Sequence, residues 1–133
     1  FMGVQAALET WRPLLADGGA VAFTESIWLT PEPPEEIRDW WHAQYPAITD
    51  ERGVRAAVDA AAFETVDSFQ LPANAWWDDY YHPMRARIEA LRKNYPDDPV
   101  AEDVAVGAET EVAMFRRYSD NYSYGFFIVT PRS

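Results

Sequence analysis

The sequence has 133 residues, of which 48% are hydrophobic and 15% aromatic, so it can form one modest core and is too apolar for a disordered segment. Its 22 acidic and 11 basic side chains give a net charge of −11, which argues against nucleic acid and anionic membranes as partners. The absence of cysteine excludes disulfides, thiolate metal sites and cysteine nucleophiles, and it favours a cytoplasmic location. We predict a single domain over residues 1–133, with no transmembrane segment.

The first half of the chain predicts a helix, a strand and two further helices. The first helix has its apolar residues at helical spacing and ends at Gly18-Gly19; its stripe is Val4, Leu8, Trp11 and Leu15. A nearly continuous apolar run then predicts a strand from Ala20 to Leu29, covered on both faces. Prolines end that strand, and the next two helices have the stripes Ile37, Trp40, Trp41 and Tyr45, and Val54, Ala57, Val58 and Ala61. Thr49 or Asp50 can cap the second of these helices.

The second half predicts an edge strand, two long helices and a last strand. Apolar and polar residues alternate over Thr65–Leu71, which predicts a strand with one exposed face that ends at Pro72. The stripes of the two helices are Met84, Ile88, Leu91 and Tyr95, and Val104, Ala108, Val112 and Phe115, with Asp98 as the cap of the second. Gly125–Thr130 predicts a buried strand. The predicted order is therefore αβααβααβ.

This order, with these residues, resembles the C-terminal half of a class I S-adenosylmethionine-dependent methyltransferase of the bacterial small-molecule type. The resemblance rests on Trp11–Gly19 and Ala22–Trp28, on Trp40, Tyr45-Pro46, Leu71-Pro72, Trp76-Trp77 and Tyr80-Tyr81, and on Phe115–Gly125. It implies an α/β fold, with a partial Rossmann-like methyltransferase sheet of three strands, the last one antiparallel, and a helical insertion or lid. It also implies that the complete domain uses S-adenosylmethionine as its cofactor.

The resemblance does not extend to the motifs that hold the cofactor in that family. Those are a glycine-rich loop after the first strand and an acidic residue that ends the second, and the six glycines here, at positions 3, 18, 19, 53, 107 and 125, form no such loop. We therefore expect no cofactor-binding residues in this chain, which would lack the N-terminal half. If the family's strand order applies, the strand near Ala20 to Trp28 has an open edge, which predicts either self-association, including a swapped dimer, or pairing with the missing half.

Two groups of residues are candidates for binding a small-molecule substrate. Glu25, Ser26 and Trp28 fall near the carboxyl end of the first strand, where open α/β sheets place their ligands. The second group consists of Trp76, Trp77, Tyr80, Tyr81 and His82, which could form an aromatic lid over an apolar or cationic substrate. The alternatives are a solvated strand-end carboxylate for Glu25 and plain core for the aromatic residues. Two isolated histidines, His42 and His82, predict no metal site.

Three functions remain open from the sequence. The first is the substrate-side part of a methyltransferase, inactive alone. The second is a non-enzymatic interaction or dimerisation module derived from a truncated methyltransferase domain. The third is a small-ligand-binding protein that uses the Trp and Tyr cluster. Neither the catalytic residues nor the methyl acceptor can be assigned from these patterns.

Overall fold

The computed structural model describes residues 2–132, which divide into two compact units. The sheet unit comprises the residues up to Leu71 and those from Asp120 onward, and the helical unit is Pro72–Ser119. The elements of the sheet unit are α1 (Val4–Trp11), a 3-10 turn (Arg12–Leu14), β1 (Val21–Trp28), α2 (Glu35–Gln44), β2 (Thr49–Asp50), α3 (Glu51–Ala60), β3 (Phe63–Gln70) and β4 (Tyr122–Pro131). Those of the helical unit are α4 (Ala73–Trp76), a π-helical turn (Trp77–Tyr81), α5 (His82–Asn94) and α6 (Pro99–Tyr118).

The sheet confirms the predicted α/β class and the antiparallel last strand. Its strand order is β2-β1-β4-β3, with β2 parallel to β1, and β4 antiparallel to both β1 and β3. The sheet has four strands rather than the predicted three, because the two residues of β2 pair with Ile27 and Trp28 at the end of β1. A strand of two residues has no alternation that a sequence pattern can show.

The core of the sheet unit lies between one face of the sheet and helices α1 and α3. It consists of Leu8, Ile27, Val54, Val58, Ala61, Phe63, Phe127 and Val129. Each of the larger side chains contributes about 1.5–3 kcal/mol through burial. Helix α1 is shorter than its apolar stripe predicted, since Pro13 lies in the 3-10 turn that follows Trp11. The ring of Trp11 is consequently 40% exposed.

Short-range hydrogen bonds define where the other helices begin and end. Helix α3 has its predicted cap, because the Asp50 carboxylate accepts a hydrogen bond from the Gly53 amide at 2.8 Å. Asp98 caps α6 in the same way through the amides of Val100 and Ala101. Helix α2 ends one residue before Tyr45, as its sequence predicted.

Strand β3 lies at the edge of the sheet, as predicted, but its bounds differ. It begins at Phe63, and the register shifts between Thr65 and Asp67, which leaves Val66 in a β-bulge. The bulge interrupts the two-residue period, so the pattern located only the later part of the strand. The edge is thus kinked and carries exposed Glu64 and Asp67.

Strand β1 has an unpaired edge over most of its length. Strand β4 pairs with every residue from Val21 to Trp28, whereas β2 reaches only Ile27 and Trp28 on the opposite side. Within residues 2–132, no strand lies beside Val21–Ser26 on that side.

Candidate functional site

The carboxylate of Glu25 is the polar centre of the sheet unit. Glu25 lies within β1, and its half-buried side chain accepts hydrogen bonds from the Ser26 amide at 3.2 Å and from the Tyr45 hydroxyl. Burial raises the pKa of Glu25, although these two hydrogen bonds act in the opposite direction. A carboxylate with a raised pKa is a better proton acceptor than a solvated one.

Tyr45 holds this carboxylate from the end of α2. Its amide donates to the Trp41 carbonyl at 2.6 Å and its carbonyl accepts from the Ile48 amide at 3.1 Å, so the backbone that carries the ring is fixed on both sides. Burial, followed by the charge of Glu25 and the hydrogen bond to it, raises the pKa of Tyr45 to about 12. The phenol therefore stays protonated at neutral pH and donates to Glu25.

Two cavities meet at Glu25. A groove of about 630 Å³ is lined mainly by apolar residues of α1 and β1, including Leu8, Trp11 and Phe23. A second cavity of about 440 Å³ includes Tyr45 and Thr49 in its lining. Both volumes fall in the range of small-molecule sites. The arrangement places one carboxylate and one phenol beside an apolar space, which suits a small ligand with a hydrogen-bond donor.

Ser26 and Trp28 do not share this environment. Successive side chains of a strand point to opposite faces of the sheet, so Ser26 and Trp28 lie on the face opposite Glu25. Ser26 is buried and Trp28 is half-buried. The structure therefore does not bring the three predicted residues of β1 together.

The predicted aromatic group divides between core and surface of the helical unit. Trp76 and Tyr81 are buried and pack on Phe115, with ring centroids 4.9 Å and 5.0 Å from it. Trp77 is half-buried, and Tyr80 and His82 are exposed. Two of the five predicted residues, Trp76 and Tyr81, are therefore ordinary core residues, which is the alternative that the sequence left open.

Glu111 is a half-buried acidic group that the sequence patterns do not single out. Its half-buried side chain accepts hydrogen bonds from Tyr80 and from Tyr81, the latter at 3.4 Å, and burial raises its pKa. One signal could have located it, since Glu111 precedes Phe115 by four residues and so shares its face of α6. Tyr45 was missed for another reason, because the helical pattern explained it as part of an apolar stripe.

The strands of the sheet unit do not lead into a loop suited to a nucleotide cofactor. Strand β1 is followed by a segment with Pro31, Pro33 and Pro34, which have no amide hydrogen to donate, and β2 runs directly into α3. None of the four strands in residues 2–132 precedes a glycine-rich turn. No cluster of potential metal ligands, and no helix with the length and apolar character to span a bilayer, occurs among these residues.

Comparison with known proteins assigns the fold to a class. No protein-family model and no curated protein sequence matches the chain. Among solved structures, it is similar to a SAM-dependent methyltransferase from Geobacter sulfurreducens in complex with S-adenosyl-L-homocysteine, with a TM-score of 0.79 at 20% identity over 98% of this chain and 53% of that one. It is also similar to a SAM-dependent methyltransferase from Thiobacillus denitrificans in complex with S-adenosyl-L-homocysteine, with a TM-score of 0.73 at 20% identity over 98% of this chain and 53% of that one. The similarity to a putative sarcosine dimethylglycine methyltransferase from Galdieria sulphuraria has a TM-score of 0.71 at 11% identity over 99% of this chain and 49% of that one.

These similarities establish the fold, which is the Rossmann-like fold of SAM-dependent methyltransferases. The chain spans about half the length of these structures.

Proposed function

We propose that the chain is the C-terminal, substrate-binding half of a methyltransferase that transfers a methyl group from S-adenosylmethionine to a small molecule in the cytoplasm. The observation that carries this proposal is the similarity of 98% of the chain, at a TM-score of 0.79, to a methyltransferase complexed with S-adenosyl-L-homocysteine. The pair formed by Glu25 and Tyr45 beside two cavities supports it, because it offers a polar anchor in an otherwise apolar site.

In this proposal, Glu25 accepts a hydrogen bond from an N–H or O–H group of the substrate. The hydroxyl of Tyr45 donates to the same carboxylate and keeps it oriented. The raised pKa of Glu25 suits it to take up a proton that the substrate loses. The apolar lining from Leu8, Trp11 and Phe23 excludes water from one side of the substrate. Held by a companion half, the cofactor supplies an electrophilic methyl group.

The other residues that the sequence predicts for substrate binding have different roles in this proposal. Ser26 and Trp28 would contact substrate only from the opposite face of the sheet, so we assign them a lesser role. In the helical unit, the accessible groups are Tyr80, Trp77 and His82, which offer flat faces to an apolar or cationic ligand. Trp76 and Tyr81 are part of the core of this unit, where both pack on Phe115.

Calorimetric titration tests where the cofactor binds. The chain alone, with its oligomeric state measured on the same sample, should bind S-adenosylmethionine weakly or not at all at millimolar concentration. Together with its companion half, it should bind one equivalent. Saturable one-to-one binding by the chain alone would contradict the proposal that the cofactor-holding residues lie elsewhere.

Methyl transfer tests the site. With the companion half present, tritium should pass from labelled S-adenosylmethionine to the low-molecular-weight fraction of a bacterial extract. Glu25→Gln should lower this transfer at least about tenfold, whereas Glu32→Gln, which changes an exposed loop residue, should not. No transfer by the reconstituted wild-type protein would refute the proposed function.

A non-enzymatic interaction module is the second candidate, and the unpaired edge of β1 favours it. The two candidates separate in one assay. An interaction module would bind its partner without binding S-adenosylmethionine, and Glu25→Gln would leave partner binding unchanged.

A further inference from the structure

We propose that a cleft between α5 and α6 binds the carboxylate group of a small organic acid, whose short apolar chain lies on the floor of the cleft. All residues that line this cleft belong to the helical unit. The site is additional to Glu25 and Tyr45, and it does not require the chain to be part of a methyltransferase.

The spacing of the lining residues places them on one face of each helix. They are Arg85, Ile88 and Glu89 from α5, and Glu109, Val112, Ala113 and Arg116 from α6. The α5 residues recur at i, i+3 and i+4 and those of α6 at i, i+3, i+4 and i+7, which is the spacing of neighbours on a helix surface. The cleft has a volume of about 230 Å³, smaller than a drug-sized pocket, so it suits a molecule of a few carbon atoms.

The floor of the cleft is apolar. Ile88 and Val112 are both buried and offer no hydrogen-bonding group to a ligand. Polar contacts with a ligand therefore come from the charged residues at the rim, while the floor accepts an alkyl chain.

The two arginines at the rim have no carboxylate partner in the chain. Arg85 and Arg116 are exposed, and neither forms an ion pair within residues 2–132, although the sequence has 22 acidic and 11 basic residues. Arg85 precedes Glu89 by four residues, which is the less favourable order for a helical ion pair. Two guanidinium groups thus face one cleft, and their N–H donors suit a planar carboxylate.

Arg116 is held in place by an aromatic ring. Its guanidinium carbon lies 5.6 Å from the centroid of the Trp77 ring. A guanidinium over an aromatic face keeps its N–H groups for a carboxylate, because stacking uses the face of the group rather than its edge. A side chain that is already positioned loses less freedom when a ligand binds.

The acidic residues of the cleft favour a ligand with a single negative charge. Glu109 is balanced by Arg92, which donates to its Oε2 atom at 3.0 Å. Glu89 has no such partner among the described residues, so it repels a second negative charge on the ligand. A carboxylate therefore fits better than a dianionic phosphate ester. Charges elsewhere in the chain have little effect beyond a screening length of about 8 Å at physiological ionic strength.

Methyl NMR of the full chain tests the site, with sodium pentanoate as the probe at constant ionic strength. The methyl signals of Ile88 and Val112 should shift saturably, whereas those of Val100 and Val104, which do not line the cleft, should stay in place. Acetate should bind about threefold more weakly or worse, because it lacks the chain that covers the floor. Pentyl phosphate should also bind more weakly than pentanoate, and pentanamide, which has no charge, should not bind.

Substitutions at the rim identify the groups that hold the carboxylate. Arg85→Gln and Arg116→Gln should each weaken pentanoate binding about tenfold, and Glu89→Gln should strengthen it about twofold. The matched control is Arg87→Gln, which makes the same charge change on α5 outside the cleft and should leave the affinity unchanged. Circular dichroism checks that each variant is folded.

Three results would overturn the proposal: no saturable shift with pentanoate, equal shifts with pentanamide, or equal weakening by Arg85→Gln and Arg87→Gln. Because no step of the assay uses S-adenosylmethionine, its outcome is independent of the test of methyl transfer.

Discussion

Replacement of Gly125 by alanine tests the packing around the site carboxylate. Gly125 pairs with Glu25 across β1 and β4, and a Cβ atom at this position would lie 2.8 Å from Cε2 of Phe127 and 3.0 Å from Cδ1 of Ile27. Both neighbours are fully buried, and the Phe127 ring also stacks on Phe23 at 5.4 Å, so neither can move freely. Overpacking of this kind costs about 1–3 kcal/mol.

The expected net loss for Gly125→Ala is about 1–2 kcal/mol, because alanine also reduces the entropy of the unfolded chain by an equivalent of about 0.4–1 kcal/mol. Thermal unfolding by calorimetry should show a midpoint lower by several degrees. Gly107→Ala is the matched control, since nothing lies within 4 Å of a Cβ there. It lies inside helix α6 and should gain about 1 kcal/mol. A Gly125→Ala protein as stable as the wild type would refute the packing argument.

Three further substitutions probe other contacts. Asp98→Ala should destabilise the protein by about 1 kcal/mol in urea unfolding, because α6 loses its cap, while Asp98→Asn should retain most of the stability. Burial raises the pKa of Glu111, so its ionisation reduces the stability of the protein as the pH rises past the ordinary pKa of 4.5. The Glu111→Gln variant should therefore be more stable than the wild type at pH 7 and should lose this advantage below pH 4.5. A stability difference that stays constant with pH would contradict the assignment. Arg12 donates to the carbonyls of Ala62 at 2.9 Å and Arg132 at 2.8 Å; Arg12→Lys cannot hold both, so exchange at the end of β4 should quicken, and an unchanged rate would exclude this role.

The elements with strong periodicity could be predicted from the sequence. Helices α2 and α3 follow their apolar stripes, and Asp50 and Asp98 cap the helices they were predicted to cap. Helix α6 follows its stripe at Val112 and Phe115, but the predicted Val104 is exposed and Ala105 is buried in its place. The other predictions that were wrong concern short segments of the sheet. The two-residue β2 depends on a neighbour rather than on its own pattern, and the bulge at Val66 breaks the alternation of β3.

The candidate site was less predictable because it depends on tertiary contacts. Glu25 stood out by its position in the strand, but the pairing with Tyr45 joins two elements that the sequence separates. The position of Ser26 near the carboxyl end of the strand predicts a site residue, but successive residues of a strand face opposite sides of the sheet, so Ser26 faces away from Glu25. Glu111 shares a helix face with Phe115, but its hydrogen bonds to Tyr80 and Tyr81 depend on tertiary packing.

The position of the helical unit in the chain determines how changes in its length affect the sheet. Strands β3 and β4 are antiparallel neighbours, and the Leu71 amide donates to the Tyr124 carbonyl at 2.9 Å just before the helical unit begins. A tight turn would be enough to connect two such strands. Residues 72–119 therefore stand where a hairpin turn would be enough, and a change in their length leaves the pairing of β3 with β4 intact. This segment is the part of the chain in which added or removed residues disturb the sheet least.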